Sequence, residues 1–276
     1  MQASLLAVFA HPDDESLRCG GTLAHYAALG AKVTLVCLTR GEAGRNTDPT
    51  LQVTDLATQR EQELRDACTV LGIQPPIFLG YHDSGRGERL RRDDPLATIN
   101  ADPLQIEAEV LEVIEQVKPQ VMLTFDPHGM YGHPDHLVAH RVATAAFSSS
   151  GFRKVKVHRL FYTVQTRAEM QALQGGQSLA VLDGLPPETY AVCDCTIAAR
   201  LDVNAHAAQK RAALFAHRSQ TGPQSTLGTL SDAQLQPLLE FETYSLGGAR
   251  GVIPEYPLKD LFAGLNVTYG LERQPG

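Results

Sequence analysis

Four nearly unbroken apolar runs restrict the fold of this chain more than any other feature: SLLAVFA over Ser4–Ala10, KVTLVCLT over Lys32–Thr39, IFLG over Ile77–Gly80 and VMLTF over Val121–Phe125. A strand with water on one face alternates apolar and polar residues. These runs do not, so both of their faces must be covered. The stretches between them supply the covers. Ser16–Leu29, Thr54–Leu71, Pro103–Val117 and Pro134–Phe147 carry helical periodicity, Gly72 closes the second, and Pro119 stands just past the end of the third. The expected class is α/β, a Rossmann-like, mainly parallel sheet with helices on both faces. After Gly151 the pattern weakens to a strand near Val157–Val164, another near Tyr190–Asp194 and a helix over Ile197–Phe215. This predicts a single domain over 1–276, with a Rossmann-like core (1–150) and a C-terminal α+β elaboration (151–276).

Charge and composition exclude several functions. A net charge of −7 with no long basic stripe is the wrong balance for neutralising a nucleic-acid backbone. The longest apolar runs, Leu5–Ala10 and Val33–Leu38, fall far short of the ~18 residues of a membrane span. No Lys or Arg precedes the first run and no small-residue cleavage site follows it, so the expected location is the cytoplasm. The five cysteines are scattered without CxxC spacing, which suits reduced thiols. Cys193 and Cys195 flank Asp194 in what reads as a strand, where alternation puts both on one face. A two-thiolate metal site competes there with plain buried thiols.

The loops that follow strands carry the chemistry-bearing residues, as expected where ligands bind at the carboxyl ends of strands. His11-Pro12-Asp13-Asp14-Glu15 follows the first strand, and Tyr131-Gly132-His133-Pro134-Asp135-His136 follows the fourth. A hydrolytic zinc site uses three nitrogen or oxygen ligands and leaves a position for water. Neighbouring loop residues point in different directions, so one of Asp13 and Asp14 can be a ligand while the other stands beside the water. Acidic residues after a strand also cap helices, and a lone histidine is usually structural. Two such clusters at corresponding sheet positions outweigh that reading.

These motifs carry a family resemblance. Ala10-His11-Pro12-Asp13-Asp14-Glu15, with His133-Pro134-Asp135-His136 downstream, resembles the LmbE/PIG-L family of zinc-dependent de-N-acetylases. Leu38–Gly44, Gly20-Gly21, Arg60 with Glu63, Leu79–Gly85 and Lys210–Gln220 match as well. The likeness is close over about residues 4–150 and loose over about 190–220. It implies a zinc-dependent hydrolase that removes the N-acetyl group from an N-acetylglucosamine-type conjugate, such as the mycothiol and bacillithiol precursors. It implies one zinc or other divalent ion per chain on His11, Asp14 and His136, with Asp13 as general base. His133, oriented by Asp135, would stabilise or protonate the tetrahedral intermediate, and Tyr131 would help hold the oxyanion. Arg60 and Asp83 would contact substrate.

Arg60 also has an argument of its own. It falls in the apolar stripe of Leu56, Ala57, Leu64, Ala67, Cys68 and Leu71, so its guanidinium needs an acceptor in an internal salt bridge or in substrate, or a stem that snorkels to water. His140, one turn after His136, reads as packing or ligand support, Glu15 as a helix-start or ligand-supporting residue, and Arg86, Arg89, Arg91 and Arg92 as solvated loop or a contact for an acidic substrate. The partner expected is a small amino-sugar conjugate, with no nucleic acid and no membrane span, and homo-oligomers are left open. The competing readings are an amidase acting on a larger thiol conjugate, a noncatalytic metal-binding protein, and a nucleotide-binding module. The last is disfavoured because the loop after the first strand lacks G-x-G-x-x-G.

Overall fold

The computed structural model describes residues 1–174 and 189–270. One seven-stranded sheet runs β3-β2-β1-β4-β5-β7-β6. Its strands are β1 (Ser4–Phe9), β2 (Lys32–Thr39), β3 (Ile77–Tyr81), β4 (Val121–Phe125), β5 (Arg159–Val164), β6 (Ile197–Asp202) and β7 (Phe241–Ala249). β1 to β5 pair in parallel, while β7 pairs antiparallel with both β5 and β6. All six residues of β1 are buried, as its unbroken apolar sequence requires.

The helices are α1 (Asp14–Ala28), α2 (Leu56–Leu71), α3 (Pro103–Val117), the single turn α4 (Gly129–Gly132), α5 (Pro134–Ser150), α6 (Arg167–Gln174), α7 (Ala207–Ala216) and α8 (Asp232–Glu240). α1 and α2 pack with α7, and α3 packs with α5. That division follows from right-handed crossovers leaving β1 and β4 in opposite directions. The sheet therefore reverses its strand order between β1 and β4, and a crevice opens at their carboxyl ends. Among the described residues no helix is long and apolar enough to cross a membrane.

α1 is kinked, because Cys19 leaves helical geometry at φ −150°, ψ 17°. The backbone N–H groups of Gly21 and Thr22 instead donate to the two Glu242 carboxylate oxygens, at 2.8 and 2.7 Å. Lys210 Nζ lies 2.7 Å from the same buried carboxylate, and Tyr244 Oη donates to it at 3.2 Å. A carboxylate at a helix start suits the dipole, so Glu242 acts as a cap supplied from β7. Gly21 is required by contact: a Cβ there would lie 2.6 Å from the Val203 side chain.

The C-terminal half departs from the sequence reading. Ile197–Asp202 is strand β6, and the helix predicted from Ile197 begins only at Ala207. Tyr190–Asp194 is not a strand; Val192 forms one isolated bridge to Thr166, and Asp194–Thr196 is a 3₁₀ turn. The Ala-Ala-Arg-Leu sequence of β6 favours helix locally, but pairing with β7 decides its state, and the sequence reading had not placed β7.

Candidate active site

Both His-Pro-Asp loops reach the crevice between β1 and β4, and backbone strain shapes the first. Asp13 has φ 116°, a region that side chains rarely adopt. Its N–H donates to Glu15 Oε2 at 3.1 Å, and the other Glu15 oxygen lies 2.8 Å from His217 Nε2. Glu15 and His217 are fully buried. Burial alone would lower the pKa of His217, but the adjacent Glu15 carboxylate outweighs it and raises the value. The pair thus anchors the strained turn from behind.

In front of the turn two imidazoles and a carboxylate converge. His11 Nδ1 lies 3.1 Å from His136 Nε2, which lies 3.3 Å from Asp14 Oδ1, and Asp14 Oδ2 is 3.7 Å from His11 Nδ1. The outer ring nitrogens fix the tautomers. His136 Nδ1 donates to the Gly129 carbonyl at 3.0 Å, and His11 Nε2 donates to Asp135 Oδ2 at 3.0 Å. The inner nitrogens, His11 Nδ1 and His136 Nε2, then face each other and the Asp14 carboxylate, and the raised pKa of His11 lets a proton be shared there. Tetrahedral zinc with bonds near 2.0–2.1 Å spaces its ligands by about 3.3 Å, so this donor set fits a divalent ion. Burial raises the Asp14 pKa to about 7, and the surrounding Asp83, Asp135 and Asp14 raise His11 despite its own desolvation. Both shifts describe a cluster short of positive charge. The two groupings whose single ligand atoms all lie within 4.8 Å of one another omit Asp14: His11 with His133 and His136, and His11 with Asp83 and Asp135. Several of these atoms, like Asp14 Oδ2, which accepts from the His11 backbone N–H at 2.8 Å, already hold hydrogen bonds. His133 Nδ1 accepts from the Asp135 N–H at 3.2 Å, and the Asp83 and Asp135 oxygens accept from the Gly85, Ala43 and Ser84 N–H groups.

The remaining residues surround this triangle. The Asp135 carboxylate meets His11, Ser84 and Thr98, and only its backbone N–H meets His133. It therefore orients His11, where the sequence reading had it orient His133. His133 has a pKa lowered to about 3 by burial and by the charge of His11, which keeps it neutral. Burial raises the pKa of the Tyr131 phenol, whose ring centroid lies 5.1 Å from that of His136. Arg60 is buried and donates to the carbonyls of Gly41 and Pro12 and, at 3.2 Å, to Asp13 Oδ2. Its acceptors are thus internal, yet it also lines the cleft. His140 donates to the Phe125 carbonyl at 2.8 Å, which is a packing role.

Sequence reasoning assigned no role to His217 or Ser219, although their segment had matched the family. Glu63 accepts from the Ser219 N–H at 2.8 Å and its hydroxyl at 2.7 Å, and so clamps that segment beside the cleft. The cleft has two lobes that share Asp13, Asp14, Tyr131 and Gln220. One, of about 810 Å³, is polar and includes Arg45, Arg60, Asp83, Arg86, Arg89 and His133. The other, of about 1110 Å³, is apolar and includes Leu17, Met130, Met170, Leu214, Leu227 and Leu230.

A doubly wound sheet with this donor set at its switch point has the parts that a hydrolase of the metal-assisted kind requires. The particular family follows from comparison. The family described as GlcNAc-PI de-N-acetylase (PIG-L) matches residues 6–147, and the chain belongs to it. The chain is 41% identical to a 1D-myo-inositol 2-acetamido-2-deoxy-alpha-D-glucopyranoside deacetylase of Actinosynnema mirum, over 95% of this chain and 96% of that protein. A protein of the same description from Salinispora arenicola is 36% identical over 98% of this chain and 94% of its own length. Among solved structures, the N,N'-diacetylchitobiose deacetylase of Pyrococcus horikoshii aligns with TM-score 0.56 at 20% identity, covering 88% of this chain and 83% of that one. The 4-carboxy-2-hydroxymuconate hydratase of Pseudomonas putida aligns with TM-score 0.60 at 19% identity, covering 92% and 99%. One fold thus carries both a deacetylase and a hydratase, so fold alone does not choose the reaction. The sequence relatives do, and the chain is an amide hydrolase, a deacetylase.

Proposed function

We propose that this chain hydrolyses the N-acetyl amide of an N-acetylglucosamine conjugate, with a 2-acetamido-2-deoxyglucosyl inositol as the leading candidate substrate. The observation that carries the reading is the convergence of His11, His136 and Asp14, in a chain close to deacetylases of that glycoside. These three residues would hold one divalent ion, zinc in our reading. When bound, it supplies Lewis acidity toward the amide carbonyl and a lowered water pKa. Asp13, held at 3.2 Å by Arg60, takes the proton of the attacking water. Tyr131 and His133 donate hydrogen bonds to the oxygen on which charge develops, and the proton that Asp13 has taken goes to the leaving amine. The polar lobe receives the sugar, with Asp83 and Arg60 in its wall.

The test is acetate release from the inositol glycoside by chelator-treated protein, with and without added zinc, alongside His136→Ala. Zinc-restored activity in the wild type and none in the variant is expected. Full activity in rigorously metal-free protein would refute the reading. The apolar lobe favours a second reading, an amidase acting on a larger thiol conjugate. A higher kcat/KM for such a conjugate than for the glycoside would establish it.

A further inference from the structure

Cys193 and Cys195 take no part in the site above. Both are exposed, and their Sγ atoms lie 2.9 Å apart. The turn between them is closed twice onto the Cys193 carbonyl, by the Thr196 N–H at 2.9 Å and the Thr196 hydroxyl at 2.7 Å. The other three cysteines, Cys19, Cys37 and Cys68, are buried, and burial raises all of their thiol pKa values. At Cys193 the direction is opposite, because the Cys195 thiol and N–H stabilise its thiolate. No third His, Cys, Asp or Glu groups with the two thiols among the described residues, so they supply only half of a tetrahedral metal set.

The pair also lies on a segment joined to the cleft wall. Val192 N–H donates to the Gln165 carbonyl at 2.9 Å, and Gln165 lines the apolar lobe. Tyr190 packs edge-on against His128, with ring centroids 5.9 Å apart.

We propose that Cys193 and Cys195 form a redox-active dithiol that closes to an intramolecular disulfide by exchange with a small-molecule disulfide. The Cys193 thiolate attacks one sulfur of the reagent RSSR, whose S–S bond breaks and releases RS⁻. The Cys195 thiolate then attacks Cys193 Sγ in the mixed disulfide and releases the second RS⁻. The two cysteine protons end on two RSH molecules, the protein loses two electrons and the reagent gains them. A disulfide bond is about 2.05 Å long, so an approach of roughly 1 Å separates the present contact from a bond. That proximity makes the second step far faster than capture of another reagent molecule.

The experiment equilibrates the full-length, metal-loaded protein with glutathione disulfide, blocks free thiols with N-ethylmaleimide and maps the peptides by mass. Wild-type protein should lose both exposed thiols together, with no retained glutathione, and dithiothreitol should restore both. Cys193→Ser and Cys195→Ser should each retain one stably bound glutathione on the remaining thiol. These changes lie on an exposed turn, and far-UV circular dichroism confirms folding of each variant. A wild-type protein that accumulates stable mixed disulfides, forms disulfide-linked dimers, or keeps both thiols at excess glutathione disulfide would overturn the proposal.

Discussion

Asp13→Asn separates the general base from the metal ligands, and the structure sets what the change does. Asparagine tolerates positive φ at least as well as aspartate does, so the φ of 116° adds little strain to the variant. Arg60 keeps its two carbonyl acceptors, and the amide oxygen of the substituted side chain can still accept from it. The side chain of Asp13 is 29% exposed but that of Arg60 is buried, so the lost ion pair costs about 1–3 kcal/mol of stability. His11, His136 and Asp14 are untouched, and zinc should stay near one per chain. What disappears is the proton acceptor. Turnover should fall by roughly 10²- to 10⁴-fold, which corresponds to about 3–5 kcal/mol of barrier. Asp14→Asn should instead lose the metal and the activity together. Zinc content by atomic absorption and acetate release under saturating substrate read both variants. If Asp13→Asn comes out metal-free while Asp14→Asn keeps its ion, the roles are reversed and the reasoning fails.

The supporting structure gives further expectations. Gly21→Ala places a Cβ 2.6 Å from Val203 and should lower stability by about 1–3 kcal/mol, read as a fall in the denaturation midpoint. Lys210→Met leaves the buried Glu242 charge without its cation and should cost about 3–5 kcal/mol, part of which Lys210→Met combined with Glu242→Gln should recover. A double variant no more stable than the single one would remove the ion pair from the account. Glu63→Gln turns an amide toward one of the two Ser219 donors and should cost about 1–3 kcal/mol of stability, while zinc content stays unchanged. Unaltered thermal unfolding would show that the clamp is dispensable.

The first half of the fold was readable because each of its signals is local. An apolar run buried on both faces announces itself within its own few residues, as β1, β2 and β4 do. Gly72 and Pro103 mark helix ends where they stand in sequence. The two His-Pro-Asp loops could be expected to meet because both follow strands that flank the reversal in strand order. What escaped depends on distance along the chain. β6 was read as helix because its ladder partner begins only at Phe241, beyond two intervening helices. The partner of Glu15 is 202 residues away and that of Glu63 is 156 away, so no window of sequence contains either pair. The orientation of Asp135 was missed for another reason. Its neighbour His133 is the obvious partner in sequence, but the helix start turns the carboxylate toward His11 at the end of a different strand.

The Glu242 cap at the kink of α1 bears on how this protein can be divided. A fragment ending at Gly151 would contain every residue proposed here for metal binding and proton transfer, and the whole span that matches the family. It would also leave the Gly21 and Thr22 N–H groups without an acceptor, strip Val203 from Gly21 and remove the imidazole behind Glu15. The helix that presents Asp14 would then lose the constraint that sets its path. Reactive groups and the means of aiming them are inherited from opposite ends of the gene, so a minimal version of this enzyme must be designed around β7 and α7 as much as around its histidines.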